Sequence, residues 1–338
     1  MKYKLLGNSG LRVSEICLGT MTFGEEWGWG ADKKTSQAIF DHYVNLGGNF
    51  IDTANRYTEG TSERYVGDFI SVDRDHFVLA TKYTLYDKTG DLNYCGNHRK
   101  NMIRSVEESL KRLGTDFIDL LWVHMWDSTT PVEEVMRGLD DLVSQGKVHY
   151  IGISDTPAWI ISHGNTIAEF RGWSKFIALQ SEYSLIQRTP ERDLIPMAKH
   201  FGLTVTPWAP LAGGVLTGKY LEGKENGRVK EESIRRNERS QGIAKAVVEV
   251  AESLGVSPAQ VATQWTMQRG FASIPIVGAR KIEQIKDSLG AIDLTIPEEK
   301  MQQLNEVSEI DLGFPHDFLR QDGVLQVSFG GARNQLDL

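Results

Sequence analysis

Only two cysteines, Cys17 and Cys95, occur among 338 residues. That is too few for a disulfide framework, and no Cys-x-x-Cys or Cys/His spacing marks a metal site. No apolar run approaches the roughly 20 residues that span a bilayer. Met1 to Gly10 lack the apolar segment of a secretory signal, so a cytoplasmic protein is expected. Positive charge is in the minority: 37 Lys and Arg against 45 Asp and Glu give a net charge of −8. Neither nucleic acid nor an anionic membrane is an expected partner for such a chain. Linkers rich in Pro or Ser are also missing. A single domain over 1–338 is expected, since barrels of about 250 residues or more form one domain. Finally, no Gly-x-Gly-x-x-Gly turn follows an early strand, which argues against a doubly wound dinucleotide-binding sheet.

What is present is a repeat of short apolar runs, each followed by an amphipathic stretch. The runs Glu15 to Gly19, Asn49 to Asp52, Phe77 to Thr81, Phe117 to His124 and Tyr150 to Ser154 read as buried parallel strands. Phe176 to Gln180, Leu203 to Pro207 and Ser273 to Val277 complete a set of eight. Helical patterns lie between them at Thr35 to Leu46, Asn97 to Leu113, Pro131 to Ser144 and Pro190 to His200. Pro131 and Pro190 suit a first helical turn, and Gly114 and Gly146 suit the position after a helix end. Eight strands alternating with helices are what an α/β protein of the (β/α)8 TIM-barrel class requires. Three additions fall outside the repeat. Residues 2–13, with Gly7-Asn8-Ser9-Gly10, read as an N-terminal β-hairpin capping one barrel end. Residues 212–240 form a long loop after strand seven. The tail from Asp311 is expected to fold over the barrel mouth.

Strand ends at the C-terminal face of a barrel point into the mouth. Asp52, Lys82 and His124 end three consecutive runs, and Tyr57 follows Asp52 closely enough to fold over the same mouth. A lone charged residue at a strand end is commonly a local ion pair, but apolar strands rarely carry several charges without a shared site. Together the four suggest a proton-transfer group. A tyrosine phenol has a pKa of about 10. An adjacent ammonium is expected to lower it, a carboxylate to hold the ammonium charged, and a histidine to hydrogen-bond a substrate oxygen.

With those residues in view, the chain resembles the aldo-keto reductases from Leu18-Gly19-Thr20 to about Ile292. Phe50-Ile51-Asp52-Thr53-Ala54 through Tyr57 to Ser62-Glu63 is similar to that family's first signature. The resemblance implies a catalytic tetrad of Asp52, Tyr57, Lys82 and His124. It also implies hydride transfer from NAD(P)H to a carbonyl carbon, with Tyr57 protonating the oxygen. It implies cofactor contacts from Gly19, Thr20 and Met21, from Asp52, and from Ser154 and Gln180 at strand ends. The family's Ser-Asn pair is Ser154-Asp155 here, and aspartate lacks the amide donor. Trp208 stands where a tyrosine usually stacks on the nicotinamide. Ala209-Pro210-Leu211 through Gly213 and Lys219 resemble the loop over the pyrophosphate. Gly278 opens a turn into a helix N-terminus, a ready anion site. Arg280, Gln284, Asp287 and Ser288 follow, with Arg280 placed to bind a 2′-phosphate, so NADPH is the expected cofactor.

The expected partner is a small carbonyl compound. Trp27, Trp29, Tyr86 and Trp126 all follow strand ends, and an apolar substrate wall built from them is expected. An alternative on the same scaffold is a cofactor-binding regulatory subunit with slow turnover, as in relatives associated with channels.

Overall fold

The computed structural model describes residues 1–221 and 233–337. An antiparallel hairpin, β1 (Tyr3–Leu5) and β2 (Arg12–Ser14), precedes eight parallel strands. These are β3 (Cys17–Gly19), β4 (Phe50–Asp52), β5 (Val78–Tyr83), β6 (Ile118–Val123) and β7 (Val148–Ser154). β8 (Phe176–Glu182), β9 (Thr204–Trp208) and β10 (Ile276–Val277) complete the set. From β3 to β9 each strand pairs in parallel with the next in sequence, and β10 pairs with β3. An isolated bridge between Val205 of β9 and Ser273, three residues ahead of β10, closes the remaining gap, so the sheet curls into a ring rather than an open, doubly wound layer.

The strands read as continuous apolar runs because helices cover the outside and side chains fill the inside. Every residue of β5 and of β6 is buried. Leu6, Val13, Cys17, Phe50, Val78, Leu120, Trp122 and Ile274 pack the interior toward one end. Gly152 lies flat against Trp122 there: a Cβ at that position would sit 2.4 Å from the indole ring. The hairpin closes this end. The Gly7 amide donates to Thr204 Oγ1 at 2.7 Å. Gly7 has a φ of +57°, and a Cβ there would meet the Ile177 carbonyl oxygen at 2.0 Å. Only glycine allows so close an approach.

Outside the ring lie α1 (Lys33–Asn45), α2 (Thr61–Ile70), α3 (Arg99–Leu113), α4 (Val132–Ser144), α5 (Ala158–Arg171) and α6 (Leu194–Phe201). Pro131 caps α4 rather than entering its first turn, and Pro190 sits in a short 3-10 turn ahead of α6. The loop after the seventh barrel strand opens with a 3-10 turn, Ala212–Thr217; its residues 222–232 lie outside the described residues. Two helices follow, α7 (Glu238–Leu254) and α8 (Pro258–Met267), the second started by Ser257 and Gln260 exchanging reciprocal capping bonds. α9 (Ile282–Leu289) and α10 (Glu298–Val307) come after β10. Among the described residues, no helix is long and apolar enough to cross a membrane.

The tail departs from expectation. It forms two short helices, α11 (His316–Leu319) and α12 (Asp322–Ser328), with no buried residue in either. Among the described residues, no tail residue lines the cavity at the barrel mouth. Its aromatics do not reach that cavity, and Phe314 is 85% exposed. The junction is tied to the barrel by polar contacts, as where the Arg192 guanidinium donates to the Asp311 carbonyl at 2.6 Å.

Candidate active site

The C-terminal strand ends converge on a cavity of about 600 Å³. At its floor, Asp52 ends β4 and Lys82 lies one residue inside the end of β5. Their side chains form a buried ion pair. The Lys82 ammonium also donates to the Thr53 carbonyl at 2.8 Å. The second Asp52 oxygen accepts from the Gln180 amide at 2.9 Å, so both carboxylate oxygens are engaged. Tyr57 comes from the turn after β4, and its ring centre lies 4.7 Å from the Lys82 nitrogen. His124 follows β6 directly and meets Tyr57 edge to face, 5.9 Å between ring centres. Four residues spread over 73 positions of sequence are thereby one cluster, because β4, β5 and β6 are neighbours in register.

Burial shapes the electrostatics of this cluster. Burial is the largest single influence and would lower the Lys82 pKa, but Asp52 and Tyr57 together outweigh it and lift the ammonium above its ordinary value. The Tyr57 phenol is pushed up by burial; Lys82 pulls it down, and Asp52 adds to the rise. The net direction is upward, the reverse of the lowering expected from Lys82 alone, since the pocket desolvates the phenolate more than one ammonium compensates. His124 moves the other way: burial, reinforced by Lys82, holds its pKa well below the usual imidazole value. At neutral pH the cluster therefore contains a neutral phenol and a neutral imidazole above a charged pair. The His124 Nδ1 is buried with no hydrogen-bond partner.

Further round the ring, Ser154 ends β7 with a buried hydroxyl that also has no partner. Asp155, at a left-handed φ of +40°, accepts the Trp208 indole N–H at 3.1 Å. Aspartate in place of asparagine thus has a structural use here, as the acceptor that fixes the Trp208 ring. Burial raises the Asp155 pKa, partly offset by that hydrogen bond. Gln180 and Trp208 both line the cavity, as do Gly19 and Met21 from the end of β3. Thr20 does not. It is wholly buried, and its backbone amide and hydroxyl both donate to the Asp52 carbonyl, at 2.9 and 3.0 Å, which ties β3 to β4.

The cavity extends along a groove. Ala209, Pro210, Leu211, Gly213 and Lys219 line one part of it. Gly213 and Gly214 have φ values of +70° and +92°, so this strip of backbone bends in a way that few other residues tolerate. Gly278, Arg280, Gln284, Asp287 and Ser288 line another part, around the N-terminus of α9. The Gln284 side chain accepts from the Arg280 amide at 2.9 Å, and the Arg280 guanidinium reaches the Trp29 carbonyl at 3.5 Å.

Of the four expected wall aromatics, only Trp27 lines the cavity. Trp29 lies behind it in a tilted contact, 5.6 Å between ring centres. Tyr86 supports Arg56: the guanidinium lies 4.4 Å from its ring centre and donates to its hydroxyl at 2.8 Å. Trp126 packs against the apolar core between β6, β7 and their covering helices. The correction has a simple cause, because following a strand end fixes a backbone position and not the direction of the side chain. Lys82 likewise lies behind the wall and touches the cavity only through Tyr57 and Asp52.

Residues outside the sequence-based set also line the cavity, among them Thr22, Arg56, Leu85, Thr217, Arg235 and Ala259. Arg56 was detectable, being an arginine one residue before Tyr57. Ala259 was not, since nothing marks an alanine of α8 as part of a groove.

A family model described as the Aldo/keto reductase family matches residues 15–309. Aryl-alcohol dehydrogenase [NADP(+)] of Phanerodontia chrysosporium is 40% identical, the match covering 93% of this chain and 87% of that one. A norsolorinic acid reductase of Aspergillus flavus is 38% identical over 93% of this chain and 83% of its own. A putative aryl-alcohol dehydrogenase of Saccharomyces cerevisiae is 36% identical over 93% and 88%.

Proposed function

The chain belongs to the aldo/keto reductase family, and on that premise we propose that it reduces aldehydes and ketones reversibly with NADPH, with Tyr57 donating the proton. It is an oxidoreductase that acts on carbonyl compounds. The observation that carries the finer reading is the buried Asp52–Lys82 pair set beneath the Tyr57 phenol.

The residues present fit the cofactor. The unpartnered Ser154 hydroxyl and the Gln180 amide offer polar contacts to a carboxamide, and Trp208 presents a flat face for the nicotinamide. The strip from Ala209 to Gly213, with Lys219, would hold the pyrophosphate. Arg280, Gln284, Asp287 and Ser288 would hold the adenosine end, and Gly19, Met21 and Asp155 would border the ring. Arg280 on a 2′-phosphate favours NADPH over NADH, in keeping with the NADP(+) in the name of one relative. When bound, the cofactor supplies the hydride.

The protein's own work is to place and protonate the carbonyl oxygen. His124, held neutral by burial and lining the cavity, hydrogen-bonds that oxygen and orients it toward the phenol. Tyr57 is protonated at neutral pH, as an ordinary phenol is, and burial pushes its pKa higher still, so the donor is in the required state. As negative charge develops on the substrate oxygen, the Tyr57 proton moves to it. The phenolate left behind is stabilised by Lys82, whose own charge Asp52 maintains. In the reverse direction the same phenolate accepts the alcohol proton. The test is stopped-flow NADPH oxidation with a panel of aldehydes. Multiple turnovers support catalysis, whereas tight NADPH binding without turnover would assign the site to sensing.

A further inference from the structure

Directly after Tyr57, the chain does something costly. Thr58 and Glu59 adopt consecutive left-handed conformations, φ +46° and +53°, which residues with a Cβ enter only when the surroundings impose them. Thr58 is pinned by donating its hydroxyl to the Phe23 carbonyl at 2.5 Å. The bend delivers the Glu59 carboxylate to the cavity rim, where one oxygen accepts the Trp27 indole N–H at 3.2 Å. The other oxygen forms an ion pair with Arg56. Trp27 lines the cavity and stands edge-on to the Tyr57 ring, 6.4 Å between centres. Arg56 lines the cavity too and is backed by Tyr86. A single carboxylate thus ties the loop after the first barrel strand to the turn bearing the proton donor, and neutralises the guanidinium at the rim. The Arg56 hydrogen bond holds the Glu59 pKa below its usual value, so the clamp is charged at neutral pH.

We propose that Glu59 is the specificity-determining residue of this site: it holds Trp27 as a wall for flat aromatic carbonyls and masks Arg56, so that neutral aromatic aldehydes are preferred over anionic ones. The proposal rests on the reductase reading for its substrates. Glu59 is a positioning residue, acting through Trp27 and Arg56 rather than on the reacting atoms. Two consequences separate its two roles. Glu59→Gln keeps an acceptor for the indole and removes the negative charge, so Arg56 is unmasked while Trp27 stays in place. Glu59→Ala removes both.

The test compares benzaldehyde with 4-carboxybenzaldehyde. In Glu59→Gln, the ratio of kcat/KM for the carboxylated substrate to that for benzaldehyde should rise about tenfold, the scale of one partly screened charge-assisted contact, and the change should lie in KM. Glu59→Ala should show the same rise and in addition a raised KM for benzaldehyde. A second reading needs no turnover: hydrogen exchange of the 24–31 amides, which close on themselves through Gly24 to Ala31 and Gly28 to Glu25 bonds. Exchange there should quicken in Glu59→Ala and stay near wild type in Glu59→Gln. An unchanged substrate ratio in both variants, or a fall in kcat shared equally by both substrates, overturns the proposal. So does unchanged exchange in Glu59→Ala. A wild-type protein that turns over no aldehyde refutes the reductase reading instead, and the exchange comparison then decides the clamp alone.

Discussion

Replacing Lys82 with methionine separates what the buried pair does for the fold from what it does for the chemistry. Lys82 is wholly inaccessible, and Asp52 is 2% exposed. The substitution leaves the Asp52 carboxylate buried with only the Gln180 amide as a side-chain donor. Removing one partner of a buried ion pair typically costs about 3–5 kcal/mol. Unfolding entropy of about 2.1 cal/mol/K per residue gives roughly 0.7 kcal/mol per kelvin for a chain of this length, so Tm should fall by about 4–7 °C. Adding Asp52→Asn removes the stranded charge. The double variant should therefore melt several degrees above Lys82→Met alone, while aldehyde reduction stays at least about 100-fold below wild type in both. Differential scanning calorimetry at one scan rate and steady-state NADPH oxidation supply the two readings. A Lys82→Met protein with unchanged Tm and near-normal turnover would refute both halves of the reasoning. A double variant less stable than the single one would refute the electrostatic half.

Other expectations follow from the same geometry. Arg280→Ala should weaken NADPH about tenfold, the effect of one charge-assisted phosphate contact, and leave NADH nearly unchanged in fluorescence titrations; equal loss for both would make Arg280 structural. Trp126→Ala should lower Tm by about 3 °C, from about 2 kcal/mol of lost packing, because the half-buried ring packs against the core. Its KM for aromatic aldehydes should hold, whereas Trp27→Ala should raise that KM. The pH profile has a worked sign. On the proposed mechanism reduction needs protonated Tyr57, whose pKa lies above the ordinary tyrosine value, so kcat/KM should stay level through about pH 9 and fall only beyond it. Because His124 is already neutral well below its usual pKa, no inflection should appear near pH 6.5; an inflection there would contradict a neutral imidazole.

The barrel was legible in the sequence because parallel strands buried on both faces are near-continuous apolar runs. β5 and β6 are such runs, and each expected strand matches an observed one to within a few residues. The cluster of Asp52, Tyr57, Lys82 and His124 was legible for a related reason, since charge at the end of an apolar run is rare enough to stand out. Side-chain direction was not. Trp27 and Trp29 are two residues apart in the same loop, yet one faces the cavity and the other sits tilted behind it. Trp126 lies two residues from His124 and packs, half-buried, against the core. The direction of the Tyr57 shift was also hidden, because it depends on how deeply the phenol is buried, and that depth is a property of the closed ring. The tail misled for another reason: its aromatics resemble a cover, but nothing in the sequence supplies them with an apolar partner on the barrel.

The central claim, that Tyr57 gives its proton to the carbonyl oxygen, is tested most directly by single-turnover reduction of an aromatic aldehyde by the Tyr57→Phe variant saturated with NADPH. The substitution removes one hydroxyl and little volume. The predicted result is a rate about 100- to 10,000-fold below wild type with NADPH affinity and Tm essentially retained. A Tyr57→Phe protein that reduces the aldehyde at close to the wild-type rate would contradict it.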